Sequence, residues 1–382
     1  MKSRAAVLWG PGKDWTVEEI DVGSPRAGEV LVRWLAAGLC HSDEHFVTGD
    51  VVLPDELAAL MGMQDLFPLV GGHEGCGEVV AIGEGVTTFT LGDRVAASFV
   101  PACGRCRYCA TGRTNLCDLG SETMRHGQIS DGAVQHHLDG RPLTLFAKCG
   151  TFSEHTLMSE LSLVKVEPWY RPDVVALVSC GVATGWGSAV HRAGTTAGDI
   201  VVVVGCGGVG MNAVQGAAMA GARAVVAIDP VQLKRDVALT LGATHACASR
   251  GEAHALVQEL SWGQMADRVI LVPGSLDGSM LAEAMALTGK GGTCVATASS
   301  PVLQTNVSLS LIDLVMMNKE IKGTIFGSGN PRFDIPNLLK MYDAGHLKLD
   351  ELITRTYSLD EINQGYQDMR DGKNIRGVIV YG

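Results

Sequence analysis

The hydrophobic rhythm of the chain changes twice. In the first third, short apolar runs at residues 5–8, 29–36, 77–82 and 94–100 are bounded by Gly, Pro and Asp, the pattern of β-strands. No helical period is sustained there, apart from a short candidate helix near residues 53–63. From about Ala183 the texture differs. Within residues 199–204, a continuous β-branched run follows Asp199, as expected for a parallel strand covered on both faces. A small-residue helix follows at 209–220, then a strand at 224–228 and a helix at 231–241. Strands at 268–272 and 293–297 flank a helix at 279–287, and this alternation predicts βαβ winding. Beyond Gly323 the pattern is mixed again and ends in a strand at 377–381. The expected organisation is a β-rich domain at 1–181, a doubly wound α/β domain at 182–323 inserted into it, and a return to the first domain at 324–382.

Composition narrows this picture. The 382 residues are 46% apolar and 19% charged, enough to bury a core and too apolar for disorder. The formal charge is −11 with no block of Lys or Arg, which argues against nucleic acid or an anionic membrane as partner. Residues 200–222 carry no charge over a span long enough for a membrane. Their many glycines, with Asn212 and Gln215, read instead as a buried strand, a turn and a buried helix. Met1-Lys2-Ser3-Arg4 leads straight into a strand-like run, so the expectation is a cytoplasmic protein without a leader. Four of the eleven cysteines fall between Cys103 and Cys117, and clustered thiols in a large chain of this kind point to metal rather than disulfides.

Three constellations carry chemistry. Gly205-Cys206-Gly207-Gly208-Val209-Gly210 fits G-x-G-x-x-G between a strand and a helix, where backbone amides at the helix N-terminus can meet a pyrophosphate. Asp229 closes the next strand, where a carboxylate accepts from an adenosine ribose and repels a 2′-phosphate, so NAD is expected over NADP; Lys234 lies one turn further on. The rival is a flavodoxin-like domain without a dinucleotide. Cys103, Cys106, Cys109 and Cys117 in a loop rich in Gly and Arg satisfy tetrahedral zinc with no open position, a structural site within about 98–118. An iron–sulfur cluster would place its fourth Cys sooner and follow it with Pro, and a redox pair would explain only two of the four. Third, His73 adjoins Glu74, with Cys40 upstream and Cys180 just before the nucleotide domain. One His and two Cys leave a fourth zinc position open, the layout of a catalytic site. Spacing alone does not select this trio, because a lone buried His or Cys is usually packing.

These residues resemble the zinc-dependent medium-chain alcohol dehydrogenases over nearly the whole chain. The resembling segments are residues 39–49 (LCHSDEHFVTG), 71–77 (GGHEGCG), 98–117 (SFVPACGRCRYCATGRTNLC), 180–190 (CGVATGWGSAV), 325–331 (IFGSGNP) and 372–380 (GKNIRGVIV). They look closest to the nicotinoprotein branch, the N,N-dimethyl-4-nitrosoaniline (NDMA)-dependent enzymes, in which NAD stays bound through turnover and is reoxidised in place. The resemblance implies a GroES-like catalytic domain around an inserted Rossmann sheet, two zinc ions per chain, and oxidation of small alcohols to aldehydes or ketones. It implies that Cys40, His73 and Cys180 hold the catalytic zinc, that Glu74 lies behind it and that Asp43 orients the His73 ring. Ser42 would take the alcohol proton and pass it through the cofactor ribose towards His45 at the surface. Arg376 would bind the cofactor pyrophosphate, Thr184 and Val209 would pack near the nicotinamide, and Phe99 and Phe152 would line the substrate cleft. A homo-oligomer and a redox partner that reoxidises bound NADH are implied as well.

Two departures stand out. Residues 51–67 look longer than the branch usually has, either a lid or a surface excursion. Position 41 is His where many members carry Arg. Competing readings are an ordinary dehydrogenase that exchanges NAD freely, including the glutathione-linked formaldehyde type, an NAD-binding redox sensor, and an iron–sulfur electron carrier.

Overall fold

The computed structural model describes residues 1–60 and 65–382. The chain forms two compact units. One comprises Met1–Cys180, Asn330–Ala344 and Ile353–Gly382; the other comprises Gly181–Gly329 and Gly345–Leu352.

The first unit is built on two mixed sheets. In one, strand Lys2–Leu8 pairs antiparallel with Thr16–Val22 and with Leu69–Val70. In the other, Glu29–Gly38 is the hub, pairing antiparallel with Gly75–Ile82, His155–Ser159 and Arg376–Val380. The last strand of the chain is thereby locked beside one of the earliest. Val30, Val32, Trp34, Val79, Val95 and Met158 form an apolar cluster along this hub. Each such side chain contributes roughly 2 kcal/mol by leaving water.

The second unit holds a six-stranded sheet with every pair parallel. Its order is His245–Cys247, Ala224–Ile228, Ile200–Val204, Ala266–Leu271, Thr288–Ala296, Glu320–Gly323. Numbered along the chain, that order is 3-2-1-4-5-6, the doubly wound dinucleotide-binding topology. Ile200–Val204 and Ala224–Ile228 are buried at every residue, which explains their unbroken apolar sequence. The span 200–222 is this strand, a turn, and helix Gly208–Met219. The helical run that is long and apolar enough to cross a membrane is Pro172–Arg192; 83% of its most apolar window is buried inside the fold, so it is a core helix.

Two elements correct the sequence expectation. Residues 41–48, where no helix was expected, form helix His41–Thr48. It starts at Cys40 in extended conformation and stops at Gly49, whose φ of 84° is open mainly to glycine. Its eight residues are too short for a period to register, and its polar composition suggests a solvated turn. Near 53–63 the candidate helix is observed as Asp55–Leu60; residues 53–54 precede it without helical structure, and 61–63 lie outside the described residues.

Lys148 is a buried cation in a left-handed turn, with φ of 58°, and donates from Nζ to the Arg125 carbonyl. Burial pulls its ammonium down from the ordinary 10.5 to about 8. A folded pKa below the unfolded one means that the cost of holding the charge is full below pH 8 and disappears as pH rises towards 10.5. That cost is on the order of 3 kcal/mol, partly offset by the hydrogen bond. Lys148→Met is therefore expected to be more stable than wild type by roughly 1–2 kcal/mol at pH 7, with the advantage vanishing near pH 10.5. Paired denaturant melts at the two pH values check this, and an equal gap at both would contradict it.

Candidate functional site

Helix His41–Thr48 presents three consecutive ionisable residues, Asp43, Glu44 and His45, to the interior. Burial of charge is tolerated only with partners, and each has one. Asp43 is fully buried and accepts from Gly72 N at 2.6 Å and from His73 Nδ1 at 3.0 Å. The ring is thus turned so that Nε2 points away from Asp43. Glu44 accepts from Arg370 at 2.7 Å, and His45 Nδ1 meets Asp50 at 3.0 Å. His45 was expected at the surface; it is only 4% exposed, because Asp50 turns back to pair with it.

Cys40 at the start of this helix, His73, Glu74 at the mouth of strand Gly75–Ile82, and Cys180 converge. One ligand atom from each lies within 4.8 Å of all the others, and all four residues are buried or nearly so. Their protons are strongly redistributed. The neighbouring Cys180 and then His73 hold the Cys40 thiol well below its ordinary range, while Cys40 and burial push Cys180 well above. Burial opposes protonation of His73, yet Asp43 and Cys40 lift it well above the usual imidazole value. Burial raises Glu74 to about 7 against the pull of Arg376, and its Oε1 is buried with no partner. Two thiols, an imidazole and an incompletely satisfied carboxylate crowded together suit a divalent cation, which replaces the protons they otherwise retain. Cys40 Sγ donates to Ser42 Oγ at 3.6 Å. The Phe99 ring stands edge-on to His73 with centroids 5.5 Å apart.

The second thiol cluster is also assembled: ligand atoms of Cys103, Cys106, Cys109 and Cys117 lie within 4.8 Å of one another. Backbone amides aim at the sulfurs, from Cys106 to Cys103 at 3.3 Å and from Cys109 to Cys106 at 3.4 Å. The amides of Cys109 and Asp118 bring the Cys106 thiol down to about 6. Donors directed at sulfur stabilise thiolate, the form that binds metal. The remaining Cys76, Cys149, Cys206, Cys247 and Cys294 are buried, and burial pushes each thiol up, as for small apolar side chains.

In the second unit the glycines divide their work. Gly205 has φ of 95°, and a Cβ there would strike the Val272 carbonyl. A Cβ on Gly210 would strike the Gly205 carbonyl, so the helix start can pack this close only without one. At Gly207 a Cβ would meet nothing within 4 Å, leaving the backbone open to a ligand at the N-terminus of helix Gly208–Met219. Asp229 is 5% exposed and accepts from Cys206 N and Val231 N, both at 2.9 Å, so it also braces the glycine turn. Lys234 is half-buried. Thr184 carries a buried Oγ1 with no partner, while the neighbouring Gly185 fits directly against the Val209 carbonyl. An open glycine backbone, a carboxylate at the end of the next strand and an orphaned hydroxyl suit a dinucleotide.

Residues 26–168 match the family described as alcohol dehydrogenase GroES-like domain, and residues 208–344 match zinc-binding dehydrogenase. The NDMA-dependent alcohol dehydrogenase of Amycolatopsis methanolica is 50% identical over 381 residues, covering 100% of this chain and 99% of that one. The chain belongs to the zinc-dependent medium-chain alcohol dehydrogenases. This dehydrogenase is also 36% identical over 386 residues to an S-(hydroxymethyl)glutathione dehydrogenase of Photobacterium damsela subsp. piscicida, with 100% of each chain covered. The benzyl alcohol dehydrogenase of Acinetobacter calcoaceticus has the same fold, with a TM-score of 0.89 at 28% identity over 100% of each chain.

The surroundings of Arg376 and Phe152 bear on two further expected roles in the dehydrogenase. Arg376 was expected on a pyrophosphate; it is buried, forms an ion pair with Glu74, and donates to the Leu39 carbonyl at 3.1 Å. Phe152 was expected at the substrate; it is fully buried, edge-on to Trp15 at 5.8 Å and to Tyr366 at 6.3 Å, in the surroundings of a core side chain. Sequence reasoning passed over Phe146, whose ring is edge-on to His73 at 4.9 Å. The two left-handed residues that follow it, Ala147 and Lys148, leave no recognisable sequence signal because neither is glycine.

Proposed function

We propose that this zinc alcohol dehydrogenase oxidises small alcohols to aldehydes or ketones with NAD that remains bound through turnover and is reoxidised in place by a separate acceptor or redox partner. The convergence of Cys40, His73 and Cys180 carries the assignment of chemistry. The 50% identity to an NDMA-dependent enzyme, against 36% to a glutathione-linked one, favours the bound-cofactor branch.

Cys40, His73 and Cys180 would hold a catalytic zinc, and Cys103, Cys106, Cys109 and Cys117 a structural one, giving two per chain. A zinc ion with an open position supplies Lewis acidity to an alcohol oxygen, and NAD supplies the hydride acceptor. The chain's own residues do the rest. Asp43 fixes the His73 ring from behind. Glu74, with its unpartnered Oε1, is the carboxylate that could approach the metal when a ligand exchanges. Ser42 Oγ receives the alcohol proton and passes it on, and His45 carries it outward. Gly205, Gly207, Gly208, Val209 and Gly210 would hold a pyrophosphate, Asp229 and Lys234 the ribose, and Thr184 the nicotinamide end of the cofactor. Arg376, with one nitrogen committed to Glu74 and Leu39, would reach the pyrophosphate with the rest of its guanidinium. Phe99 would border the substrate.

A second copy would cover Leu311, Ile312, Val315 and Met316, each 69–74% exposed on helix Leu311–Met316, which supports a homo-oligomer. A cytoplasmic location is part of this proposal.

The protein as purified is expected to release NAD(H) on denaturation in near-stoichiometric amount after gel filtration. It is expected to oxidise alcohol far faster with an artificial acceptor than with added NAD. No retained nucleotide, with full activity on free NAD, would assign the ordinary exchanging enzyme instead.

A further inference from the structure

Helix His41–Thr48 ends at Gly49, and the left-handed turn there sends the next side chain back along the helix. Asp50 therefore reaches His45 Nδ1 at 3.0 Å. The imidazole is 4% exposed, whereas the Asp50 side chain is 32% exposed, so the carboxylate joins a buried ring to water. An ionised carboxylate only accepts hydrogen bonds, so Nδ1 must carry the ring proton. The lone pair of neutral His45 is then on Nε2, which has no hydrogen-bond partner among the described residues.

The other charged groups near this ring are already committed. Asp43 is bound to His73 and Gly72, and Glu44 to Arg370 of the last helix. His41 is edge-on, with ring centroids 6.0 Å apart. Asp50 is the carboxylate left to His45, and nothing in the sequence marks it out from other loop aspartates.

We propose that Asp50 is a positioning residue for proton release: it holds His45 in the Nδ1–H tautomer with Nε2 open to accept, and offsets the charge of the imidazolium that results. The proposal rests on the reading of His45 as the proton exit. The step balances simply. The proton leaving the alcohol oxygen arrives at Nε2, Asp50 stays ionised throughout, and one proton is then lost from the ring to water. The arrangement follows the logic by which a buried carboxylate sets the tautomer of a catalytic imidazole.

The test uses the holoenzyme with its retained cofactor in the oxidised form, following cofactor reduction at 340 nm after mixing with alcohol, for wild type, Asp50→Asn, Asp50→Glu, His45→Gln and the double variant Asp50→Asn with His45→Gln. Asp50→Asn is expected to slow cofactor reduction about tenfold while KM changes less than about twofold, and Asp50→Glu to recover most of the rate. In the His45→Gln background, Asp50→Asn is expected to cost nothing further, since it acts through His45. Added imidazole buffer is expected to restore Asp50→Asn and His45→Gln. Nitrogen NMR of the labelled holoenzyme is expected to find Nδ1–H at His45 in wild type and a tautomer mixture in Asp50→Asn. If His45→Gln slows reduction while Asp50→Asn and Asp50→Glu both keep the wild-type rate and tautomer, the role of Asp50 is overturned and the exit reading survives. If His45→Gln itself keeps the wild-type rate, the exit reading falls and the role of Asp50 falls with it.

Discussion

His73→Ala is expected to lower kcat/KM for alcohol oxidation by roughly 10³-fold or more, the equivalent of losing about 4–5 kcal/mol of charge stabilisation at the alcohol oxygen. On the proposed count of two zinc ions per chain, the same variant is expected to lose one and keep the other. His73 holds its place between Asp43 and the two thiols, so the substitution removes a ligand and also strands the fully buried Asp43. Asp43 keeps the bond from Gly72 N, and the two surrounding sheets do not depend on the imidazole, so the fold should persist with reduced stability. Cys40→Ser is the milder companion, since it changes one atom. Zinc analysis, circular dichroism and kinetics on both variants check the set together. Wild-type turnover in a variant shown to lack the zinc would remove the assignment.

Stripping the metal from the other cluster should act on stability instead. Between Cys103 and Cys117 most side chains are exposed or half-exposed, and Thr114, Asn115 and Cys117 are the buried ones. Such a loop has almost no apolar core, so crosslinking by metal supplies most of what holds it. Cys106→Ser is expected to cost roughly 5 kcal/mol, read as a fall in Tm of about 10 °C or more, with new protease cuts near Arg105, Arg107 and Arg113. Calorimetry and limited proteolysis measure both. An unchanged melt in a preparation lacking that ion would show the cluster to be incidental.

The two candidate metal sites differ in how far they could be read in advance. The four cysteines lie within fifteen consecutive positions, so local chain geometry alone brings them together. The trio of Cys40, His73 and Cys180 spans most of the first unit, and its spacing is compatible with ordinary packing. Resemblance to a family pointed to it, and the pairing of Glu29–Gly38 with Gly75–Ile82 is what draws Cys40 towards His73. The glycine turn was legible because backbone conformation and close approach restrict residue type: a side chain at Gly205 or Gly210 would collide with a carbonyl. Aromatic side chains carry no comparable restriction, which is why Phe152 proved a core residue and Phe146 was overlooked.

By itself the sequence determined the unbroken β-branched strands of the nucleotide domain, the alternation that winds them, the glycine turn and the local thiol cluster. All of these depend on neighbours in the chain, where period and steric limits act directly. Tertiary structure decided which charges are buried and with whom. Asp43, Glu44 and His45 carry no period that would place them, and they are interior because Gly72, His73, Arg370 and Asp50 come to them from elsewhere. The partner of Arg376 is likewise set by the fold, because strand Arg376–Val380 lies against Glu29–Gly38 and Glu74 takes it up. The physical reason is that a charge enters the interior only where its partner is already waiting.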